Sequence, residues 1–151
     1  MKAITIHQPW ATLIALGEKR FETRSWPTKH RGPIAIHAGK KVDREACEQV
    51  DIKSALDKHG LTADTLPTGV VVATSRIADC LEIHIDHTGD AVLLIEKAPY
   101  AWIGEGSPEF AFGWYSDGRY AWELIDIKPL MDPIPAKGQQ GLWNWEATHE
   151  S

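Results

Sequence analysis

The residue types that could do chemistry in this chain cluster in the sequence GEKRFETR at positions 17–24. Lys19 could contact a phosphate or, if burial lowers its pKa, activate a nucleophile. Glu22 could act as a general base or as the partner that orients a neighbouring guanidinium group. Arg24 offers the paired donors that bind a phosphate or a carboxylate at two points. The alternative interpretation is a surface ladder of ion pairs, which would contribute little to stability.

A short helix predicted over residues 9–16 leads into this charged stretch. Its apolar side chains recur at the three- and four-residue spacing of one helix face. Pro9 suits the first helical position, and Gly17 can adopt the left-handed conformation that ends a helix. A helix end, a tight turn and a charged strand would together form the rim of a pocket.

The charged residues after this turn alternate with Phe21 in the pattern of a strand. If Phe21 faces the core, Glu22 and Arg24 share the open face. Glu22 would then lie between Arg20 and Arg24 at the mouth of a cleft. Lys19 is out of phase with them and joins the open face only if it lies in the turn before the strand.

Other side chains are candidates for ligand binding. Gln8 could read the edge of a base or could instead cap the start of the helix. Trp26 lies in a basic loop and is the best candidate for stacking on a planar ligand. Trp10, Arg31 and Arg119 complete the predicted ligand-binding set.

Glu123 is the third candidate for catalysis, together with Lys19 and Glu22. Apolar and aromatic residues alternate around it, so burial could make it an acid or base. The alternative is a buried salt bridge from Glu123 to Arg24 or Arg119. Residues 84–90 contain two histidines and two aspartates, but no clear helix sets the geometry of a zinc site. We therefore expect no metal and no cofactor.

The overall charge argues against a general nucleic-acid coat protein, because the 151 residues carry a formal net charge of −5. The positive charge is concentrated: residues 17–41 hold seven basic and two acidic residues. Such a patch suits a phosphate-bearing partner at one site, or is simply a solvated basic face. The two cysteines allow one disulfide without requiring it. With no signal peptide and no apolar run of transmembrane length, we expect a cytoplasmic location and no membrane partner.

The chain length fits a single domain over residues 1–151. Strands are predicted at 2–6, 20–24, 33–38, 70–83, as a hairpin of 110–115 with 119–127, and as a closing strand at 142–145. Helices are predicted at 9–16 and 43–59, with a further short helix at 91–96. Residues 129–135 are predicted as an extended connector and 137–141 as a flexible turn. This pattern predicts an α+β fold, a small β-barrel of about six strands with two or three helices packed around it.

These segments resemble the ASCH domain family. The matching sequences are IHQPW at 6–10, the GxKxxExR signature at 17–24, RG at 31–32, IHA at 36–38, GRYAWEL at 118–124 and GLWNW at 141–145. The later segments are similar to bacterial and phage members, and the resemblance covers nearly the whole chain. It implies a PUA-like β-barrel with an RNA-related or nucleotide-related ligand in a cleft beside the signature.

The resemblance also implies a possible enzymatic activity. Some small members of the family are amidohydrolases that remove the acyl group from N4-acetylcytidine with a lysine, a threonine and a glutamate. The lysine matches Lys19, whereas the threonine position is occupied by Glu22. Asp79 and Glu123 are candidates for the third residue.

Three functions follow as predictions. The first is a module that binds RNA, a nucleotide or a modified nucleoside beside the signature. The second is an amidohydrolase that acts on N4-acylated cytidine or a related nucleoside. The third is a protein-interaction domain, which is favoured if some of the seven tryptophans fill the cleft.

Overall fold

A mostly antiparallel sheet forms the centre of the computed structural model, which describes residues 1–146. Its strands are β1 Lys2–Gln8, β2 Phe21–Arg24, β3 Gly32–Val42, β4 Val70–Ile85, β5 Ala91–Ile95, β6 Ala98–Ile103, β7 Tyr120–Pro135 and β8 Leu142–Asn144. The α-helices found in residues 1–146 are α1 Trp10–Ala15, α2 Val50–Lys58 and α3 Pro108–Ala111. The predicted α+β class is therefore confirmed, with eight strands in place of about six.

The strand order is β2-β7-β4-β3-β1-β8, and β5 pairs with β4 and β6 beside this path. β1 and β3 run parallel, whereas the other neighbours along the path are antiparallel. Shifts of register between β4 and β7 bend these two long strands. Within residues 1–146 the pairings leave the path open between β2 and β8, so hydrogen bonding does not close a barrel there.

The longest β-rich run of the sequence forms the central strand, as predicted. The prediction covered residues 70–83, and β4 extends this segment to Ile85. It pairs with β3, β5 and β7, and its buried residues are mainly every second one, which places one face of the strand against the core. The closing segment is also confirmed, because Leu142–Asn144 pairs with β1.

The main core lies between α1 and the sheet. α1 begins at Trp10, one residue later than predicted, with Pro9 at the capping position. Ile14 is fully buried in a cluster that includes Ile36 and Trp122. This packing holds the end of α1, and therefore the charged stretch after it, against the sheet.

The helix predicted over residues 43–59 is shorter than expected. A single 3₁₀ turn occupies Ala46–Glu48, and α2 begins only at Val50. Gln49 separates them because its backbone is extended and its side-chain oxygen caps the first N–H groups of α2. Val50, predicted for the apolar face, is 73% exposed, and the buried face instead carries Ile52, Ala55 and Leu56.

The prediction of a short helix over residues 91–96 is wrong. This segment forms β5, which pairs with β6 in a hairpin. Glu96 and Lys97 make the tight turn with φ angles of 49° and 69°. Such a turn normally carries Asn or Gly, so the sequence lacked the usual hairpin signal.

The predicted hairpin of residues 110–115 with 119–127 is wrong in its first half. Residues Pro108–Ala111 form α3, whose start is capped by Ser107. β2 takes the place of 110–115 as the partner of β7. Residues 129–135, predicted as a connector, belong to β7 because they pair with β4.

No helix within residues 1–146 combines the length and the apolar character needed to cross a membrane. Cys47 and Cys80 are free thiols, so the disulfide that the sequence allowed is not formed. The cytoplasmic location and the domain boundaries 1–151 stay predictions. Residues 147–151 lie outside the described part of the chain.

Candidate functional site

The turn between α1 and β2 places Lys19 inside the fold. The carbonyl oxygen of Leu13 accepts hydrogen bonds from the backbone N–H groups of Glu18 and Lys19, both at 3.0 Å. Gly17 permits this turn because its φ of 77° lies in the left-handed region. Only 1% of Lys19 is exposed. Its ammonium group therefore reaches the site from within the fold, just ahead of β2.

Lys19, Glu22 and Arg24 form one charged network. The Lys19 ammonium donates a hydrogen bond to the carbonyl oxygen of Phe21 and lies 3.7 Å from Glu22 Oε1. Glu22 Oε2 accepts a hydrogen bond from Arg24 Nε at 2.8 Å. Arg24 Nη2 also donates to the carbonyl oxygen of Thr5 at 3.0 Å, which ties the network to β1. Loss of water lowers the pKa of Lys19, and the Glu22 carboxylate opposes this shift.

Glu22 lies between Lys19 and Arg24, and not between Arg20 and Arg24 as the sequence predicted. The Arg20 side chain is 64% exposed and pairs with Glu109, with Nε 3.6 Å from Oε1. Arg20 and Lys19 both precede the first residue of β2, and their side chains point in opposite directions. The turn directs Lys19 into the fold, so Arg20 is not part of the network. Phe21 faces the core as predicted, but Glu22 is buried with only 7% exposure.

Glu109 is a supporting residue that the sequence reasoning missed. Its carboxylate accepts hydrogen bonds from the backbone N–H of Arg20 at 3.0 Å and of Phe21 at 3.3 Å. These contacts fix the start of β2 from a helix 89 positions away. No local pattern around Glu109 could have revealed them, because they depend on where α3 lies in the folded chain.

A cleft with a volume of ≈ 480 Å³ opens beside the charged network. This volume falls in the range of small-ligand sites. Its walls come from β1, β2, α1 and the loops that follow β2 and α3. The cleft brings together six of the candidate residues: Trp10, Lys19, Glu22, Arg24, Trp26 and Arg119.

Gln8 is not part of the cleft wall. It is fully buried, and its Oε1 accepts a hydrogen bond from the Thr12 backbone N–H at 2.9 Å. Its Nε2 donates to Thr12 Oγ1 and to the carbonyl oxygen of Pro67. The structure therefore uses Gln8 at the start of α1, which was the alternative interpretation of this residue.

Arg31 and Glu123 also lie outside the cleft. Arg31 binds the carbonyl oxygen of Thr28 and pairs with Asp79 at 3.3 Å. Glu123 accepts hydrogen bonds from the Tyr100 hydroxyl group at 3.0 and 3.1 Å. In the part of the chain described, Glu123 makes no salt bridge to either of the arginines considered for it. Neither Asp79 nor Glu123 lines the cleft with Lys19 and Glu22, although the backbone of Glu123 pairs with that of Phe21.

Trp26 lines the cleft, but it also supports the core. Its ring packs edge-on against Trp122, with ring centroids 4.8 Å apart and planes at 81°. Trp122 is fully buried in the main core. Part of the Trp26 ring is therefore committed to packing in the core, which limits its use as a free stacking platform.

Trp114 is the aromatic residue at the cleft that sequence reasoning did not single out. It is 67% exposed, and the guanidinium carbon of Arg119 lies 4.0 Å from its ring centroid. Its backbone N–H donates to Thr23 Oγ1 at 2.9 Å, which anchors the loop on β2. Trp114 lies in the apolar segment FAFGWY at 110–115, which was predicted as a strand, so no local signal marked it as exposed. The cleft thus has an aromatic lip that rests on a cation.

The described residues, 1–146, contain no group of three or more His, Cys, Asp and Glu side chains placed to hold a metal. His84, from the sequence segment considered for zinc, instead pairs with Asp117 at 3.3 Å. The chemistry at the cleft therefore rests on an amine, a carboxylate, guanidinium groups and aromatic rings. These groups suit a ligand with both an anionic part and a planar part.

Comparison with known proteins relates the sequence to one domain family. The family model for the ASCH domain matches residues 4–133. Activating signal cointegrator 1 of Homo sapiens is 37% identical over 81 residues, which are 52% of this chain and 14% of that protein. The Mus musculus protein of the same name is 35% identical over 81 residues, again 14% of its length. The chain thus matches only a small part of these longer relatives.

Comparison with solved structures supports the fold. The crystal structure of ASCH from Zymomonas mobilis superposes with a TM-score of 0.52 at 16% identity, covering 99% of this chain and 89% of that one. A single-residue mutant of the same protein gives a TM-score of 0.51 at 14% identity, covering 96% and 87%. Similarity at this level of identity shows a shared fold.

Proposed function

This chain belongs to the ASCH domain family, with the PUA-like α+β fold of its neighbours, and on that premise we propose that it binds RNA or a nucleotide in the cleft. The observation that carries the proposal is the meeting of an aromatic lip with a buried charged network. Trp114, resting on Arg119, lies at the same opening as Lys19, Glu22 and Arg24. A planar base and an anionic phosphate would both find partners there.

The aromatic lip would bind the base. An exposed indole ring is a stacking platform for any base, and stacking of this kind contributes ~1–3 kcal/mol per base. The Arg119 guanidinium group beneath the ring also lies at the cleft, where it can reach a phosphate. Arg119 has lost part of its hydration at the cleft, which lowers the pKa of its guanidinium group. An anionic ligand would replace part of this lost hydration.

The charged network would supply selectivity. Glu22 holds Arg24 through one hydrogen bond at 2.8 Å, and Arg24 is also tied to Thr5. Groups fixed in this way do not need to reorganise when a ligand arrives, so they discriminate by position. A modified nucleoside with a substituent near this network is therefore within the proposed ligand class.

Binding of the four ribonucleoside monophosphates and of short RNAs, measured over a salt series, tests the proposal. Affinity should fall steeply as salt rises, because phosphate contacts release counterions. Trp114→Ala should weaken binding roughly tenfold, as expected for one lost stacking contact. Trp102→Ala is the matched control, since Trp102 is 64% exposed but lies outside the cleft.

Two results would refute the binding proposal. One is the absence of binding to every nucleotide and RNA at low salt. The other is an equal loss of affinity in Trp114→Ala and Trp102→Ala, because this would place the contact elsewhere than the cleft.

An amidohydrolase is the second candidate, favoured by the buried pair at the base of the cleft. Burial lowers the pKa of Lys19, and Glu22 Oε1 lies 3.7 Å from its Nζ. Glu22 would take a proton from water, the water oxygen would attack the amide carbon, and Lys19 or Arg24 would stabilise the oxyanion. Glu22 would return this proton to the amide nitrogen as the carbon–nitrogen bond breaks, which gives the free amine of the nucleoside and a carboxylic acid that ionises.

Incubation with N4-acetylcytidine and separation of the products tests this second candidate. Glu22→Gln keeps the shape of the carboxyl group and should lower turnover by roughly 10²–10⁴. Glu123→Gln is the matched control, because Glu123 lies outside the cleft and contacts Tyr100. Turnover that persists in both Lys19→Ala and Glu22→Ala would exclude this site.

The third predicted class, a protein-interaction domain, depended on tryptophan side chains filling the cleft. Trp10, Trp26 and Trp114 line the cleft, yet a volume of ≈ 480 Å³ stays open between them. The condition that favoured this class is therefore not met.

A further inference from the structure

A second pocket lies on the other side of β1 from the cleft, and its volume is ≈ 820 Å³. We call it the lysine-rimmed pocket. It lies between the ends of β1 and β3 and the chain segment 135–140, and Lys40 and Lys137 are part of its wall. Both lysines are exposed, whereas His37 at the base is 1% exposed. The pocket therefore has a buried histidine at its base and a cationic rim.

A fixed hydrogen-bond chain builds this pocket. Trp143 Nε1 donates to Thr5 Oγ1 at 3.1 Å, which leaves the Thr5 hydroxyl hydrogen for His37 Nδ1, also at 3.1 Å. His37 Nε2 then donates to the carbonyl oxygen of Ala136 at 2.7 Å. These hydrogen bonds tie segment 135–140 to β1 and β3. The segment that the sequence suggested as a flexible turn is thus packed against the sheet.

Gly138 allows this close packing. A Cβ atom at position 138 would lie 2.8 Å from both His37 Cε1 and Thr5 Oγ1, closer than side chains can pack. Both of those groups are themselves held by hydrogen bonds. The shape of the lysine-rimmed pocket is therefore determined by the sequence and not by a loose loop.

The two pockets adjoin at β1. Thr5 and His7 line both of them. Arg24 of the cleft donates to the carbonyl oxygen of Thr5, and the Thr5 side chain contacts His37 of the second pocket. A ligand that leaves the cleft over His7, which is exposed, would arrive at Lys40 and Lys137.

We propose that the lysine-rimmed pocket binds the neighbouring nucleotide of a single-stranded RNA whose first nucleotide occupies the cleft. This inference rests on the proposed function and names its substrate as a chain of at least two nucleotides. A chain places a phosphate between successive bases, which matches a cationic rim between two pockets. The apolar surface of Pro135 and Ala136 would contact the second base.

Equilibrium binding of ribonucleoside monophosphates and the matching homotrinucleotides tests the inference. At least one trinucleotide should bind the unaltered protein roughly tenfold more tightly than its monophosphate, from the added base and phosphate contacts. In Lys40→Gln/Lys137→Gln most of this gain should disappear, while monophosphate affinity stays within about twofold. The double variant Lys53→Gln/Lys97→Gln changes the charge equally at exposed sites outside both pockets and should keep the gain.

Amide spectra with ¹⁵N labelling provide a second measurement that does not depend on a variant. Gly113 lies at the cleft, whereas Gly39 and Gly138 lie at the lysine-rimmed pocket. The monophosphate should shift the signal of Gly113 alone. The trinucleotide should shift all three.

The outcomes separate the two proposals. Monophosphate binding at Gly113 without a trinucleotide gain, or with a gain that Lys40→Gln/Lys137→Gln keeps, would overturn the inference and leave the proposed function standing. A gain seen only with deoxyribose trinucleotides would also overturn it. No binding of any nucleotide at low salt would overturn both.

Discussion

The cleft and the lysine-rimmed pocket lie on either side of β1, and they carry positive charge in opposite ways. In the cleft, Lys19 and Arg24 are held by Glu22, and Lys19 is 1% exposed. At the second pocket, Lys40 and Lys137 lie on an exposed rim above uncharged walls. Buried charges with fixed partners select a ligand by position, whereas exposed lysines attract any phosphate in a salt-dependent way.

The difference also concerns how the chain builds each region. The cleft network comes from residues two or three positions apart, so one short segment supplies it. The lysine-rimmed pocket depends on contacts such as His37 with Ala136, which are 99 positions apart. A local motif thus supplies the charged network of the cleft, whereas tertiary packing builds the second pocket. The predictions below test whether this division is real.

The largest expected effect is on stability, in the cleft. Glu22→Ala leaves the buried ammonium group of Lys19 without its nearest carboxylate, and we expect a loss of about 3 kcal/mol in the free energy of unfolding. The lowered pKa of Lys19 limits the loss, because the amine can release its proton. Chemical denaturation at neutral pH measures the change.

Lys137→Ala is the matched change at the other pocket. Its side chain is exposed, so the free energy of unfolding should change by less than about 0.5 kcal/mol. Equal losses in Glu22→Ala and Lys137→Ala would contradict the contrast between a buried network and an exposed rim.

The next largest difference should be between Trp26 and Trp114, two of the three tryptophans at the cleft. Trp26→Ala removes the ring that packs on Trp122, and it should lower the free energy of unfolding by about 2 kcal/mol. Trp114→Ala removes a ring that is 67% exposed, so stability should change by less than about 0.5 kcal/mol. Thermal or chemical unfolding of both variants makes the comparison. A larger loss in Trp114→Ala would show that the lip, and not Trp26, supports the core.

The sequence predicted that Glu22 and Arg24 share a face, and that Lys19 joins them only if it lies in the turn before the strand, which is where the structure has it. Their spacing in a turn and a strand brings their side chains to one place whatever the rest of the fold does. The same reasoning placed Arg20 in the group, because alternation by itself does not show where the strand starts. The contact between Glu109 and the start of β2 decides that point.

The residues that the sequence could not place depend on distant pairing. Glu123 was a catalytic candidate on its apolar neighbours alone, yet the structure sets it against Tyr100 of β6. That contact requires the β5–β6 hairpin, which lacks Asn or Gly at its turn and was predicted as a helix. β4 was predictable because its long β-branched run favours a strand independently of its neighbours.

The free energy of unfolding should depend on pH through the titration of Lys19. Desolvation lowers its pKa in the folded state below the ordinary value of about 10.4. At pH values between the folded-state pKa and the unfolded-state pKa of Lys19, the unfolded chain binds more protons than the folded chain. The folded state therefore gains stability as pH rises, by at most about 1.4 kcal/mol per pH unit. The difference in unfolding free energy between the unaltered protein and Lys19→Met should therefore grow with pH in favour of the unaltered protein. A difference that stays constant up to the ordinary lysine pKa would contradict the burial of the charge.

A smaller loss of stability than in Glu22→Ala or Trp26→Ala should come from Gly138→Ala at the lysine-rimmed pocket. The added Cβ would lie 2.8 Å from two groups that hydrogen bonds hold in place, so segment 135–140 must move by a few tenths of an ångström. We expect a loss of about 1 kcal/mol in the free energy of unfolding, as for mild overpacking. Gly106→Ala is the control, because its Cβ would meet no atom within 4 Å, and it should be neutral or slightly stabilising.

Binding sharpens the same comparison, since the methyl group added in Gly138→Ala lies at the lysine-rimmed pocket and outside the cleft wall. Monophosphate affinity should match that of the unaltered protein, because Gly138 is not part of the cleft wall. Trinucleotide affinity should fall, because the displaced segment carries Lys137 and the apolar surface beside it. A variant that loses both affinities equally would mean that the hydrogen bonds through Thr5 couple the two pockets. They would then act as one site, and the contrast between a selective cleft and an attracting rim would not hold.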